Sequence, residues 1–473
     1  MPSTALVWYR RDLRVHDHPA LVTALREFER VVPVFVLDDA LLHGRFASGP
    51  RARFMLGCLR ALDGALRERG AALVVRRGRP ERELLELAAD AKAGAVFWTS
   101  DVAPYARARD ARVTAALRAA GVAPRPTTGA YCVDVSRVRT QDDRPFTLFS
   151  PFWRAWSQRG RRTVHRAPRA LAPLPAGVAR GRLPPAGALD LDGGAPSPVV
   201  EPGEAAARAA LERWLGGPID SYAERRDSIA RRGTSVLSAY LRWGCLSSRE
   251  CEERAQRHGG RGAEAWVRQL CWRDFYAQVL LAFPANAREE HQERYRGTLE
   301  WDDAPDRLAA WQEGRTGHPL VDAGMRQLAR TGWMHNRARL VVGSFLTKDL
   351  HLDWRAGEAW FERLLLDGDP AQNNGNWQWI ASVGVDPAPY FRRLYNPALH
   401  QQRFDPDGSY VRRWVSELEG VPDAKLAEPW TLSEREQRAA GCVVGRDYPA
   451  PIVDHASERR VALERFRAAA RHA

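Results

Sequence analysis

The chain has 473 residues, 45% hydrophobic and 27% charged, a balance that excludes a fibre or a disordered chain and favours two or three packed domains over one. Lysine and arginine total 71 against 58 aspartate and glutamate; the net charge of +13 fits a polyanionic partner, and equally an arginine-rich composition. No run of 18 apolar residues occurs, and the opening MPSTALVWYRRDL lacks the apolar core of a signal peptide, so a cytoplasmic protein with no membrane span is expected.

Four apolar runs, at 4–10, 31–38, 71–78 and 93–101, read as strands buried on both faces. Amphipathic stretches such as 51–70 lie between them, which predicts a parallel α/β sheet. The first strand leads into RRDLRVHDHPAL and not into G-x-G-x-x-G, so no dinucleotide fingerprint is present. Residues 134–204 are dense in Pro, Gly and Ala and read as a long connector. Beyond it the periodicity is helical almost to the end, as at 204–215, 263–283 and 357–366. The expected organisation is an α/β domain over 1–133, a linker over 134–204 and an all-α domain over 205–473. The six cysteines, at 58, 132, 245, 251, 271 and 442, show no metal-like spacing and read as reduced, mostly buried thiols.

Polar residues recur inside the helical half where a core should reject them. GTSVLSAYLRWG at 233–244 offers Thr234, Ser235 and Ser238, which suit either phosphate binding at a helix start or a plain N-cap. In GWMHNRARL, Asn336 and Arg339 are three apart and share a helical face, while Arg337 points elsewhere. In LLLDGDPAQNNGNWQWIASVG, Asp367 and Asp369 can serve hydroxyl or imide donors, Arg339, or a metal, although no His-rich or third acidic cluster accompanies them. If that segment is helical, Trp377 and Trp379 lie about 200° apart around the axis and serve different surfaces. Of 17 tryptophans, Trp301, Trp354 and Trp377 fall at the edges of three helical segments, where periodicity does not explain them.

These segments, with LVWYRRDLRVHDHPAL at the start, resemble the photolyase/cryptochrome family from about residue 4 to 455, and most closely its class I enzymes for cyclobutane pyrimidine dimers. The resemblance implies a Rossmann-like parallel-sheet domain joined by a long linker to an all-helical FAD domain. It implies light-driven repair of UV-damaged DNA by a monomer: photoexcited reduced flavin donates an electron to a flipped-out dimer. Tyr222 and the stretch Thr234, Ser235, Val236, Leu237, Ser238 match phosphate-binding positions. Arg273, Trp333, Asn336, Arg339, Asp367, Gly368, Asp369 and Asn373 match residues around the flavin, with Asn373 beside N5, where an amide accepts a hydrogen bond without adding charge. Trp377, Trp354 and Trp301 match an electron relay. Gln269, Trp272, Arg273, Tyr276, Asn336, Leu340 and Trp379 match the lesion pocket, and Arg226 and Arg337 positions near DNA phosphates. Gln269, Trp272, Asn336 and Asn373 are the expected catalytic set, and no metal is expected.

Departures from the family pattern bear on the activity. Gln269 stands where dimer-repairing relatives carry a Glu, Leu340 where they carry a Met, Val236 where a basic residue is usual, and Asn376 where a Gly precedes the proximal Trp. A cryptochrome-type photosensor is the rival expectation; a (6-4) photolyase fits less well, since Leu340 occupies the place of its second histidine. Arg51 and Asp101 resemble positions that hold an 8-hydroxy-5-deazaflavin antenna. A methenyltetrahydrofolate antenna is less favoured, because Ala287 replaces the cysteine of folate-binding relatives.

Overall fold

The computed structural model describes residues 3–45, 47–189, 191, 197–230 and 233–471. Five strands, β1 (Thr4–Tyr9), β2 (Arg30–Leu37), β3 (Val74–Arg77), β4 (Ala93–Thr99) and β5 (Ala123–Thr127), form one parallel sheet in the order β3-β2-β1-β4-β5. The four strands expected from the apolar runs are present, three with shorter bounds and β2 shifted back by one residue at equal length. The fifth carries Pro124 and Pro126 in a half-exposed edge position, where missing N–H groups cost nothing, and its composition hides it from a hydrophobic scan. Central β1 is buried on both faces: Ala5, Val7 and Tyr9 enter one core, Leu6 and Trp8 the other.

The connector is not featureless. Phe149–Ser157 is a helix whose Phe152 and Trp156 are buried against the long helix Gly260–Ala282. Asp274 on that helix fastens the connector, its Oδ2 accepting from the backbone N–H of Cys132 (3.0 Å) and Val133 (3.3 Å) and from Trp156 Nε1 (2.9 Å). All six cysteines are free and buried.

The rest of the described chain is helical, with two cores. One is continuous with the inner face of the sheet, running from Ala5 and Phe97 through Leu211 and Trp266 to Phe275. The other gathers Trp311, Phe345, Trp354, Phe361 and Trp377. Three helix starts around the second core are fixed by their own caps. His335 Nδ1 accepts from Arg337 N to open Asn336–Lys348, and Asp353 accepts from Arg355 N to open Trp354–Leu364. Asp369 accepts from Ala371 N and Gln372 N, with Pro370 in the first turn, to open Pro370–Ala381, which ends at Ser382 in the left-handed region. This last helix lies against Gly260–Ala282 at Gly375, where an added Cβ would stand 2.1 Å from the Tyr276 ring. No described helix is long and apolar enough to cross a membrane.

Candidate active site

A cavity of about 440 Å³ opens between these helices. Its lining brings together Tyr222, Thr234, Ser235, Val236, Leu237, Ser238, Gln269, Trp272, Arg273, Tyr276, Trp333, Asn336, Arg339, Leu340, Asp367, Asp369 and Trp379, segments that sequence places far apart. An adjoining chamber is lined by Asn336, Arg339, Asp367, Gly368, Asp369, Asn373, Trp377 and Ile380.

Both aspartates of the cavity are paired with arginines. Arg339 Nη2 bridges both Asp367 oxygens, at 2.9 and 3.2 Å, while its Nε donates to Met334 O. Asp369 is held not by Arg339 but by Arg11, from the loop after β1. Burial alone would raise the Asp369 carboxyl, but Arg11 and then Arg242 hold it below the usual carboxylate range. Asn373 commits its amide nitrogen to Glu358 O (2.9 Å) and, more loosely, to Glu362 Oε2 (3.4 Å), which leaves Oδ1 as its free acceptor.

The open question at Thr234–Ser238 resolves against a plain cap. Helix Ser238–Trp243 has Leu237 at its N-cap with no side-chain cap bond, so the hydroxyls are not spent on helix initiation. Ser235 Oγ accepts from Trp266 Nε1 at 3.2 Å. Val236 sits at φ 53, a costly conformation for a β-branched residue, and lines the cavity.

Trp377 and Trp379 diverge as the helical geometry requires. Trp377 is buried, its ring 5.0 Å from Phe361 and 6.2 Å from Trp311, whereas Trp379 is half-buried on the cavity wall. An added Cβ at Gly357 would stand 2.1 Å from Trp377 Cη2, so glycine there makes room for the indole. Trp354 is fully buried in the same core, its Nε1 donating to Glu290 Oε1 (3.2 Å), and Trp301 packs half-buried at that core's edge. Gln269 donates only a long bond to Ala265 O (3.4 Å). Leu340 and Asn376 line both chambers. Arg226 is exposed outside the cavity, and Arg337 is drawn aside to Asp227 (2.6 Å) and over the Phe404 ring.

A second pocket, about 140 Å³, lies at the carboxyl ends of β1, β2 and β4, the crevice where the strand order reverses. Arg51 and Asp101 both line it but do not pair with each other: Arg51 binds Glu362 (3.0 Å) and Asp101 binds Arg11 (3.2 Å). Sequence reasoning passed over Arg11 and Arg242, which tie the two pockets together; Arg242 lines both and donates to Gly368 O. Burial, reinforced by Arg11, pushes Arg242 down to about 9. Placement of Arg11 directly after a parallel strand was the available signal. Among the described residues no group of three or more His, Cys, Asp or Glu is placed to hold a metal ion.

Residues 5–176 match the family model for DNA photolyase, and 266–468 the model for the FAD binding domain of DNA photolyase. A deoxyribodipyrimidine photo-lyase of Streptomyces griseus is 41% identical over 98% of this chain and 99% of its own. Two solved structures superpose closely. A bacterial class III photolyase from Agrobacterium tumefaciens has TM-score 0.92 and 33% identity, covering 100% of this chain and 98% of its own. A Synechocystis cryptochrome has TM-score 0.91 and 30% identity, covering 98% and 99%. With both halves matched and a relative 41% identical over nearly the whole chain, the chain belongs to the photolyase/cryptochrome family.

Proposed function

We propose that the protein is a light-driven DNA repair enzyme that binds FAD among its helices and splits cyclobutane pyrimidine dimers. The observation that carries this is the placement of Asn373 and Trp377 in one chamber that opens directly onto a cavity walled by Trp272 and Trp379. The residues suit the cofactor: uncapped hydroxyls at 234–238 for phosphates, an Arg339–Asp367 ion pair in which Nη2 reaches both oxygens, and an amide whose oxygen is free. Bound FAD, reduced and photoexcited, supplies the electron that opens the cyclobutane ring.

The chain's own residues do the rest. Trp272 and Trp379 offer apolar faces on which an extruded base pair stacks, compensating an unstacking cost of roughly a few kcal/mol that damage lowers. Arg273 sits one helical turn from Gln269 and donates to Ala130 O and Leu241 O, which fixes a cation at the pocket floor. Gln269 offers an amide to the lesion without a titratable proton. Arg226, exposed and outside the pocket, suits a phosphate contact, and Arg337 can serve there only by sharing its charge with Asp227. Trp377, Trp354 and Trp301 run from the chamber into the buried core and out to its edge, an arrangement suited to passing an electron inward.

For the antenna we propose 8-hydroxy-5-deazaflavin in the β-sheet pocket. Its lining brings Asp101 together with Arg51, Arg242 and Trp243, cationic and donor side chains that suit an anionic ring oxygen. Folate would use the separate cleft beside Ala287 and Arg288, where the cysteine is absent.

The test is a flavin and antenna absorption spectrum of the purified protein, followed by blue illumination with oligonucleotides carrying either lesion. Dimer loss is the expected result. Gln269 favours one rival, a photosensor, whose signature is light-driven flavin reduction with dimers left intact.

A further inference from the structure

Two of the indoles that line the cavity, Trp272 and Trp379, are each held from behind by residues that do not line it. Trp379 is clamped on three sides. The Arg393 guanidinium carbon lies 4.1 Å from its ring centroid, Arg393 Nη1 donates to Trp379 O (2.8 Å), and Asp386 Oδ2 accepts from Trp379 Nε1 (3.1 Å) while pairing with Arg393 Nη2. Arg393 is only 2% exposed, so this charge is not offered to solvent or to a DNA backbone. Its own carbonyl is pinned by Lys348 Nζ (2.9 Å) and Ser344 Oγ (3.0 Å). Lys348, fully buried, also donates to Ser382 Oγ (3.1 Å) and to Ile380 O, closing the end of the helix that carries Trp379. On the other wall, Phe149 from the connector helix stacks on Trp272 with ring centroids 3.7 Å apart and planes 4° from parallel.

Burying the Arg393 cation is expensive and is sustained by its pairing with Asp386, while Lys348 meets only neutral oxygens and burial holds its amine well below the usual range. All the pairing here converges on one indole and on the backbone beside it. A tryptophan that must be ordered at binding loses rotamer freedom at that moment; one already ordered does not. We propose that Arg393 and Asp386 are positioning residues for lesion recognition, fixing Trp379 in its stacking orientation as Phe149 fixes Trp272; this rests on the lesion-pocket reading above. Discrimination of damaged from undamaged DNA then depends on them, whereas phosphate-driven binding of any duplex does not.

Dark titrations of the FAD-loaded full chain with duplexes carrying one cyclobutane thymine dimer or none test this. Arg393→Met is expected to weaken dimer binding about tenfold or more and undamaged binding less than about twofold. Arg393→Lys keeps the cation but not the planar fork, and falls between. KM for repair rises while kcat at saturating DNA stays near wild type. In a Trp379→Phe background Arg393→Met adds little further loss, because its effect passes through the indole. Asp386→Asn and Phe149→Leu give the same selective loss and carry the test if Arg393→Met does not fold, as judged by its flavin spectrum and melting curve. Equal losses on both duplexes, or an undiminished effect of Arg393→Met with Trp379→Phe, overturn the proposal while leaving the repair reading intact. A wild-type protein with no preference for the dimer overturns both.

Discussion

Replacing Gly357 with alanine separates packing from electron supply. The new methyl would lie 2.1 Å from Trp377 Cη2, 2.5 Å from Cζ3 and 2.6 Å from Leu346 Cδ2. Carbon contacts settle at about 3.5–4.0 Å, so the indole must retreat by roughly 1.4 Å or the helix Trp354–Leu364 must yield. Retreat is obstructed by Phe361 at 5.0 Å and Trp311 at 6.2 Å, both buried, and overpacking of this kind costs about 1–3 kcal/mol. At about 2–4 °C per kcal/mol for a unit of this size, that lowers Tm by roughly 2–12 °C. Light-driven reduction of oxidised flavin in the presence of an external thiol should slow, because the first indole of the relay has moved. Repair by enzyme reduced chemically beforehand should keep its rate, since that step bypasses Trp377. Gly343→Ala is the internal control, its methyl meeting Ile380 at 3.1 Å and Trp377 only at 3.6 Å, and should be milder in both measurements. Unchanged photoreduction in Gly357→Ala despite a lowered Tm, or equal losses in both assays, would refute Trp377 as the entry point.

Asp367→Asn leaves Arg339 without its bidentate partner beside a half-open cavity; flavin retention measured by dialysis and absorbance should fall about tenfold in affinity with little change in Tm. Gln269→Glu gives the lesion pocket a carboxylate; exchanging a neutral for a charge-assisted hydrogen bond is worth about 1 kcal/mol, so dark affinity for dimer DNA should rise roughly fivefold, with flavin content unchanged. Asp274 is pushed up to about 7, first by burial; its Oδ2 accepts three hydrogen bonds while Oδ1 has no partner among the described residues. An acid whose folded pKa exceeds its unfolded value binds more protons when folded, so its contribution to stability is present at low pH and is lost as pH rises from about 4 to 7. Asp274→Asn should therefore gain in Tm over wild type across that interval and hold a constant difference above it, as read by thermal melts at a series of pH values.

Much of the fold was legible because each element obeys its local rule. The strands of the sheet alternate between two cores, and the helix Pro370–Ala381, only conditional in the sequence, is opened by Asp369, a residue read there as a partner for ligand or Arg339 and not as a cap. β5 escaped because an edge strand of five residues with two prolines has no hydrophobic signature. The connector helix Phe149–Ser157 escaped because the prolines and glycines around it outweigh one short amphipathic stretch. Its stability comes from Asp274 and the rings of Phe152 and Phe275, 5.3 Å apart, partners more than a hundred residues away in the chain.

At the site the boundary between legible and illegible follows what each residue touches. Asn336, Arg339, Asp367, Asn373 and Trp379 are polar or aromatic where a helical domain's core should reject them, and such violations stand out in a sequence. Arg11, Arg242, Arg393 and Phe149 break none. An arginine in a basic chain and a phenylalanine in a connector look ordinary until folding sets Arg11 on Asp369 and Phe149 on Trp272. What sets these residues is their protein partners, even for Arg242, which also lines both pockets, so their signature is pairwise and long-range, and a single sequence does not record pairs. A cavity whose walls are aimed by such residues is fixed before any ligand arrives, which is why its orientation is set by groups that substitution at the lining alone would leave untouched.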